Sequence, residues 1–335
     1  MPHTRSVSIC VFIGAGSRYE EDASAGISHF LEHMLFKGTP KRPSSADISG
    51  VIENVGGMMN GSTDRELSSY WCKVAQPHFH KALDVLVDMI RDPIMDPEEV
   101  EKERTVIQQE LSMTNDYPSY RVEILSDEML WPDQPMGRDI GGSRESVQRI
   151  ATETLSDWFR SQYTPSNVVI SIAGRVRHNE VLEALGPLVK GWPQGTPKTW
   201  RPATHQDRRV PQVRTEQRRT EQAHVCLSLP GISNRHPDRY ALDMMSTVLG
   251  EGMGSRLFLE IREKRGLAYD IHSMVTHFRD TGSIVVYFGV DPKKARRTAQ
   301  TILGEFRRMK AGVPEEELRR AKELAKGRLL LRMED

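Results

Sequence analysis

Blocks of hydrophobic and polar residues follow one another along the chain, and the spacing inside each block predicts its secondary structure. The β-branched, apolar run at residues 6–17 ends in glycines and is typical of a buried strand. The next block predicts an amphipathic helix, because its apolar residues recur at helical spacing. These residues are Ile27, Phe30, Leu31, Met34 and Leu35.

Helix and strand signals continue through the first half. A second helix is predicted to begin at Ser44 or Ser45, since serine is a preferred N-cap residue. Residues 58–74 read as strand, turn and strand. A long helix at 96–116 has Asp96 as its N-cap and Pro97 at its first position. Another apolar run, residues 167–174, predicts a further buried strand.

A proline- and arginine-rich stretch at residues 191–220 separates two similar halves and reads as a linker. After it, the predicted order strand, helix, helix, strand, strand, helix, helix repeats that of the first half. We therefore expect two α/β-sandwich halves of α+β class, with mostly antiparallel sheets covered by helices. The predicted domains are 1–190 and 221–335.

Composition narrows the class of protein. The 335 residues are 38% hydrophobic and 27% charged, with a formal net charge of zero. This balance fits a soluble globular chain and gives no electrostatic reason to bind nucleic acid or a membrane. Three scattered cysteines provide no disulfide framework. No signal peptide or membrane-spanning run is recognisable, so a cytoplasmic location is expected.

The chemistry is concentrated in the stretch HFLEH, which contains His29, Glu32 and His33. Two histidines four residues apart share one helix face and can hold one zinc ion. Zinc lowers the pKa of its water ligand to roughly 7, so the neighbouring Glu32 can act as general base. The alternative is two histidines that are close by chance, yet composition predicts only about 0.05 such patterns in this chain.

The pattern H-x-x-E-H resembles the inverted zincin motif of the pitrilysin-like metallopeptidases, family M16, which includes insulin-degrading enzyme and mitochondrial processing peptidase. Further segments resemble the same family over nearly the whole chain, and the processing-peptidase branch is the most similar in organisation. These segments are IENVGGMMNGSTDRELSSY, EKERTVIQQEL, EQAHVCLSLPG and GEGMGSRLFLEIREKRGLAY.

The resemblance implies roles for individual residues. His29 and His33 would bind zinc, Glu32 would be the base, and Glu110 would be the third ligand. Glu103, seven residues before Glu110 on the same helical face, would support the zinc site without touching the metal. For both downstream glutamates, the alternative is a solvated helix face.

Three more residues match positions where the family contacts its substrate. Arg262 and Tyr269 in REKRGLAY would donate hydrogen bonds to bound peptide, and the tyrosine could stabilise an oxyanion. The alternative is an exposed arginine and a half-buried strand tyrosine. Asn60 would lie where an edge strand pairs with extended substrate. The alternative there is an asparagine that forms a turn before Gly61.

Taken together, the resemblance implies a zinc metalloendopeptidase that cleaves peptides or unfolded segments inside a closed chamber. It also implies a homodimer, since this one chain carries both residue sets. The competing hypotheses are a non-catalytic structural or substrate-binding subunit, and a zinc-binding module without turnover. Compared with the family pattern the chain is expected to be shortened at both ends, with an incomplete second half.

Overall fold

The computed structural model describes residues 1–205 and 210–333. Within these ranges the strands are β1 (Ser6–Ile13), β2 (Met58–Thr63), β3 (Ser68–Ala75), β4 (Val168–Gly174), β5 (Ala223–Pro230), β6 (Ala268–His277) and β7 (Gly282–Val290). The α-helices are α1 (Ile27–Leu35), α2 (Ser45–Glu53), α3 (Phe79–Arg91), α4 (Pro97–Asp116), α5 (Pro118–Leu130), α6 (Arg144–Arg149), α7 (Thr152–Gln162), α8 (His178–Val189), α9 (Arg239–Gly250), α10 (Ala295–Ala311) and α11 (Glu315–Arg332). No helix among the described residues is both long enough and apolar enough to cross a membrane.

The chain divides into two compact units. The first unit contains Met1–Met113 and Arg138–Arg201, and the second contains Thr114–Gly137 and the chain from Pro202 onward.

The first unit is built on a four-stranded sheet with the order β2-β3-β1-β4, in which every neighbouring pair is antiparallel. Alternate residues of the central strand β1 are fully buried, as a sheet with one covered face requires. Helix α3 packs against β1 and β3, and α2 and α8 pack against α3. Each buried aliphatic side chain of this core contributes roughly 1.5–3 kcal/mol relative to an exposed one.

The second unit has a three-stranded antiparallel sheet with the order β5-β7-β6. All nine residues of β7 are buried. Helix α9 packs on β6, α11 packs on α9, and α5 packs on β5. The third strand of each unit lies between its first two, since β3 joins β1 to β2 and β7 joins β5 to β6. The α+β class with antiparallel, helix-covered sheets is therefore confirmed, and the two units share this arrangement of their first three strands.

Two elements differ from the sequence prediction. β4 lies at the edge of its sheet, and Val169 on it is 64% exposed, because only alternate residues of this apolar run face the core. The second helix predicted after the linker contains a π-helix at Phe258–Glu263. There the Lys264 N–H donates to the Leu259 carbonyl, one residue further back than in an α-helix.

The compact units also divide the chain differently from the predicted domains. Residues 114–137 group with the second unit, because α5 packs on β5, whereas the sequence places them in the first domain. In the predicted linker, residues 191–205 and 210–220 contain no helix or strand, and residues 206–209 lie outside the described residues. The domain boundaries of 1–190 and 221–335 remain predictions.

Candidate metal centre

Helix α1 presents three polar side chains beside an otherwise buried surface. His29, Glu32 and His33 are partly exposed. The apolar side chains of the helix pack into the core of the first unit: Ile27, Phe30, Leu31, Met34 and Leu35. Burial of these apolar side chains fixes which face of α1 carries His29, Glu32 and His33.

The start of α1 is capped by a buried carboxylate from outside the helix. Glu20 accepts hydrogen bonds from the Gly26 N–H (2.7 Å) and the Ser28 N–H (2.9 Å). Gly26 has a φ of 92°, and a Cβ there would lie 2.4 Å from the Gly141 carbonyl oxygen. Burial raises the pKa of Glu20 to about 7, although its hydrogen bonds and Arg138 oppose this effect.

Three ligand atoms converge beside α1. The two Nε2 atoms of His29 and His33 are 3.3 Å apart, and Glu110 Oε2 lies 3.7 Å and 3.5 Å from them respectively. Among the described residues, this is the one group of three or more histidine, cysteine or acidic side chains with metal-binding spacing. The structure thus brings together all three residues predicted as ligands.

The donor set fits a zinc ion. Ligands bound at about 2.1 Å around a tetrahedral centre lie roughly 3.4 Å from one another, close to the three separations observed. The carboxylate–imidazole distances are long for hydrogen bonds, so these contacts are better suited to sharing a cation. Burial and the nearby His33 lower the pKa of His29 to about 4, which keeps its imidazole neutral and able to coordinate.

Glu103 holds the second histidine from behind. Its Oε2 lies 3.0 Å from His33 Nδ1, and its other oxygen pairs with Lys37. The Glu103 side chain is only 8% exposed, so the alternative of a solvated helix face is wrong for this residue. A carboxylate on the far nitrogen of a histidine orients the ring and directs its Nε2 toward a metal.

Helix α4 is anchored where it carries both glutamates. The buried guanidinium of Arg104 donates to the carbonyls of Val147 and Ile150, the latter at 2.8 Å. Its Cζ also lies 5.3 Å from the centroid of the Phe30 ring on α1. Arg104 therefore links the helix that carries Glu110 to the helix that carries His29 and His33.

The side chain of Glu32 is held by a residue of strand β2. Its Oε2 accepts a hydrogen bond from Thr63 Oγ1 at 2.5 Å. The pKa of Glu32 is raised above its ordinary value, chiefly by burial and also by the nearby charge of Glu110. The hydrogen bond from Thr63 and the nearby His33 oppose this shift. A carboxylate in this environment binds a proton more readily than an exposed one, as a general base that must later act as an acid requires.

Asn60 lies in β2, the edge strand of its sheet in the described part of the chain. Its side chain is exposed, and its Oδ1 accepts from the Gly61 N–H at 2.8 Å. Both residues lie inside a strand, so the alternative of a turn at Asn60 is wrong. The turn comes later, where the Asp64 N–H donates to the Leu67 carbonyl.

Arg262 and Tyr269 belong to the second unit, and both lie on irregular backbone. Arg262 is in the π-helix, and Tyr269 is at a β-bulge between Ala268 and Asp270. The Arg262 guanidinium stacks 4.6 Å from the Tyr269 ring centroid. Tyr269 is 74% exposed, so the alternative of a half-buried strand tyrosine is wrong. Bulges and π-helices are common at functional sites.

Sequence reasoning missed Glu20, Lys37 and Thr63. Thr63 carries a partial signal, because alternation along β2 places it on the same strand face as Gly61, but only the packing of β2 on α1 brings it to Glu32. Glu20 carries no such signal, since it caps α1 from six residues away and standard capping patterns act over three.

The chain is similar to known proteins over its full length. The family model described as insulinase (peptidase family M16) matches residues 1–144, and the model described as the peptidase M16 inactive domain matches residues 149–324. An uncharacterized zinc protease of Streptomyces coelicolor is 35% identical over 343 aligned residues, covering 100% of this chain and 74% of the relative. The uncharacterized zinc protease YmxG of Bacillus subtilis is 36% identical over 338 residues, covering 99% and 80%.

Solved structures show the same fold. A protease from Helicobacter pylori superposes with a TM-score of 0.92 at 22% identity, covering 99% of this chain and 81% of that chain. Similarity at this level of identity supports the fold alone, and the family models carry the family assignment. Since two M16 family models together match most of the chain, this protein belongs to peptidase family M16.

Proposed function

We propose that this protein is a zinc-dependent endopeptidase that hydrolyses peptides or unfolded polypeptide segments within a closed chamber. The observation that carries the proposal is the convergence of His29, His33 and Glu110, with the carboxylate of Glu32 beside them. The names of the relatives, which call them zinc proteases, support the same reading.

Each residue has a separate role in the proposed reaction. His29, His33 and Glu110 would hold the zinc ion, which would polarise a water molecule and lower its pKa to roughly 7. Glu32 accepts a proton from the attacking water and returns it to the leaving amine. Glu103 keeps the ring of His33 oriented. Asn60 binds extended substrate at the free edge of β2, and Arg262 and Tyr269 donate hydrogen bonds to the substrate.

The test is the substitution Glu32→Gln. Zinc content should stay at the parent level, because the three ligands and Glu103 remain. Turnover of a quenched peptide should fall by about 10² to 10⁴, the usual contribution of a general base. Peptide cleavage at the parent rate by Glu32→Gln would exclude this mechanism.

The alternative is a non-catalytic M16 subunit that binds substrate or serves as a scaffold. The complete H-x-x-E-H pattern argues against it, because such a subunit has no need of a base beside the metal ligands. Metal analysis and peptide cleavage, measured on one preparation, separate the hypotheses. A peptidase has both zinc and activity, a zinc-binding module has zinc alone, and a scaffold without metal has neither.

We also propose that the protein forms a homodimer. One chain carries both the metal-binding residues and the Arg262–Tyr269 pair, so two copies can complete each other's sites in an isologous arrangement.

A further inference from the structure

Thr63 is the last residue of β2, and its side chain leaves the strand toward α1. The hydroxyl donates to Glu32 Oε2 at 2.5 Å. Helix α1 packs against β2, and these two elements carry the two partners of the bond. Threonine has one hydroxyl proton to donate, and here that proton is committed to a single oxygen of the carboxylate.

Gly61 lets the strand come close enough for this bond. Gly61 and Thr63 lie on the same face of β2, two residues apart. A Cβ at Gly61 would lie 2.9 Å from Glu32 Oε1 and 3.0 Å from Glu32 Cγ. A side chain at Gly61 would therefore collide with Glu32 Oε1, while Oε2 is bonded to Thr63.

The turn between β2 and β3, which follows Thr63, is itself held in place. The N–H groups of Ser17 and Arg18 donate to the carbonyls of Asp64 and Arg65, at 3.2 Å and 3.0 Å. The fully buried Arg18 also pairs with Glu66 in the same turn. A hydroxyl carried on such a fixed strand end can define the orientation of a partner side chain.

We propose that Thr63 is a positioning residue for Glu32. By holding Oε2, it sets the plane of the carboxylate and leaves Oε1 as the oxygen that exchanges a proton with the attacking water. This inference rests on the proposed role of Glu32 as base. The competing explanation is structural, in which Thr63 only satisfies a buried carboxylate.

The first test compares Thr63→Val with Thr63→Ser on the zinc-loaded full chain. Valine keeps the shape and the strand propensity of threonine but lacks the hydroxyl, whereas serine keeps the hydroxyl. We expect Thr63→Val to lower kcat by about ten- to a hundredfold, the worth of one hydrogen bond to a charged group. KM and zinc content should change by less than about twofold, and Thr63→Ser should recover kcat to within about threefold. A parent-like kcat in Thr63→Val, or equal losses in both variants, would overturn the proposal.

The second test does not use turnover. A peptide hydroxamate, which presents a hydrogen bond to the general base, is titrated calorimetrically into zinc-loaded protein. Thr63→Val should weaken its binding about tenfold in the parent background and not at all in the Glu32→Ala background, because Thr63 acts through Glu32. Equal weakening in both backgrounds would assign Thr63 a purely structural role.

The orientation of the Glu32 carboxylate can also be observed directly in protein without zinc. In crystal structures of metal-free variants, the Glu32 carboxylate should be rotated in Thr63→Val and unchanged in Thr63→Ser. An unchanged Glu32 in Thr63→Val would overturn the positioning role, even if the parent proved to have no peptidase activity. Absence of activity with a rotated carboxylate would instead count against the proposed function and leave the Thr63–Glu32 coupling intact.

Discussion

Glu103 and Glu110 lie two turns apart on one face of α4 but in different environments. The Glu103 side chain is 8% exposed and is bonded to both His33 and Lys37. The Glu110 side chain is 41% exposed, and its carboxylate points at the two imidazoles at distances of 3.5 and 3.7 Å. Because Glu103 is buried and paired, it is suited to orient a histidine that binds metal. Because Glu110 is accessible, it is suited to bind the metal itself.

This difference predicts unequal losses of zinc affinity. Glu110→Ala removes a proposed ligand and should weaken zinc binding by more than about a hundredfold, whereas loss of the proposed orienting partner in Glu103→Ala should weaken it about 10- to 100-fold. Competition with a chromogenic chelator would measure both. The exposed Glu98 on the same helix provides a matched control, and its alanine variant should bind zinc as the parent does. Equal affinity in Glu110→Ala and the parent would remove Glu110 from the site.

Helix α1 depends at its first turn on a carboxyl group whose pKa is strongly shifted. Burial raises the pKa of Glu20 to about 7 from its ordinary value of 4.5. The folded protein thus binds a proton at Glu20 more tightly than the unfolded chain does. Ionisation of Glu20 then costs stability, and this cost grows as the pH rises from 4.5 to 7.

The substitution Glu20→Gln tests this sign. Glutamine does not titrate and retains one acceptor oxygen for the two N–H groups of the first turn. The free energy of unfolding of the parent, minus that of Glu20→Gln, should decrease as the pH rises from 4.5 to 7, by an amount on the order of 3 kcal/mol. Urea unfolding of metal-free protein at several pH values gives this difference. A difference that stays constant with pH would show that Glu20 titrates near its ordinary value.

A second titrating group acts over part of the same range in the opposite sense. The pKa of His29 is lowered to about 4, so its contribution to stability is lost as the pH falls from 6.5 toward 4. Because both proteins keep His29, its effect cancels in the difference between parent and variant.

The elements were predictable from the sequence where the signal was local. The helix cap at Ser44 is present, with a capping box to Asp47, and Asp96 caps α4 through the Glu98 N–H. The π-helix at residues 258–263 was not predictable, because the buried Leu257 and Ile261 are four residues apart, as in an α-helix. The contact of Thr63 with Glu32 joins residues 31 positions apart, so only the packing of β2 on α1 reveals it.

At the scale of the whole molecule, the proposed dimer divides the catalytic residues between subunits. In the processing-peptidase branch that the chain resembles, the zinc half of one subunit faces the second half of its partner. Mixing Glu32→Gln with Tyr269→Phe protein should then restore activity, because one site in each mixed dimer combines an intact Glu32 with an intact Tyr269. Subunit exchange, followed by fluorescence transfer between labelled chains, is the necessary control. Exchange without recovery would place the complete site within a single chain.

The end of the first domain can be tested with two fragments, because the predicted boundary at residue 190 and the compact unit ending at Arg201 differ by eleven residues. Those residues include Trp192, which is 7% exposed and donates from Nε1 to the Tyr163 carbonyl at 3.0 Å. They also include Trp200, whose ring lies 4.0 Å from the Arg18 guanidinium.

Fragment 1–201 should therefore be more stable than fragment 1–190 by at least about 3 kcal/mol, the lower range for loss of one buried tryptophan. Chemical unfolding measures this difference, and in fragment 1–201 the substitution of the exposed Lys190 by alanine should leave the stability unchanged. Equal stability of the two fragments would support residue 190 as the domain boundary and show that Trp192 and Trp200 do not stabilise the first domain.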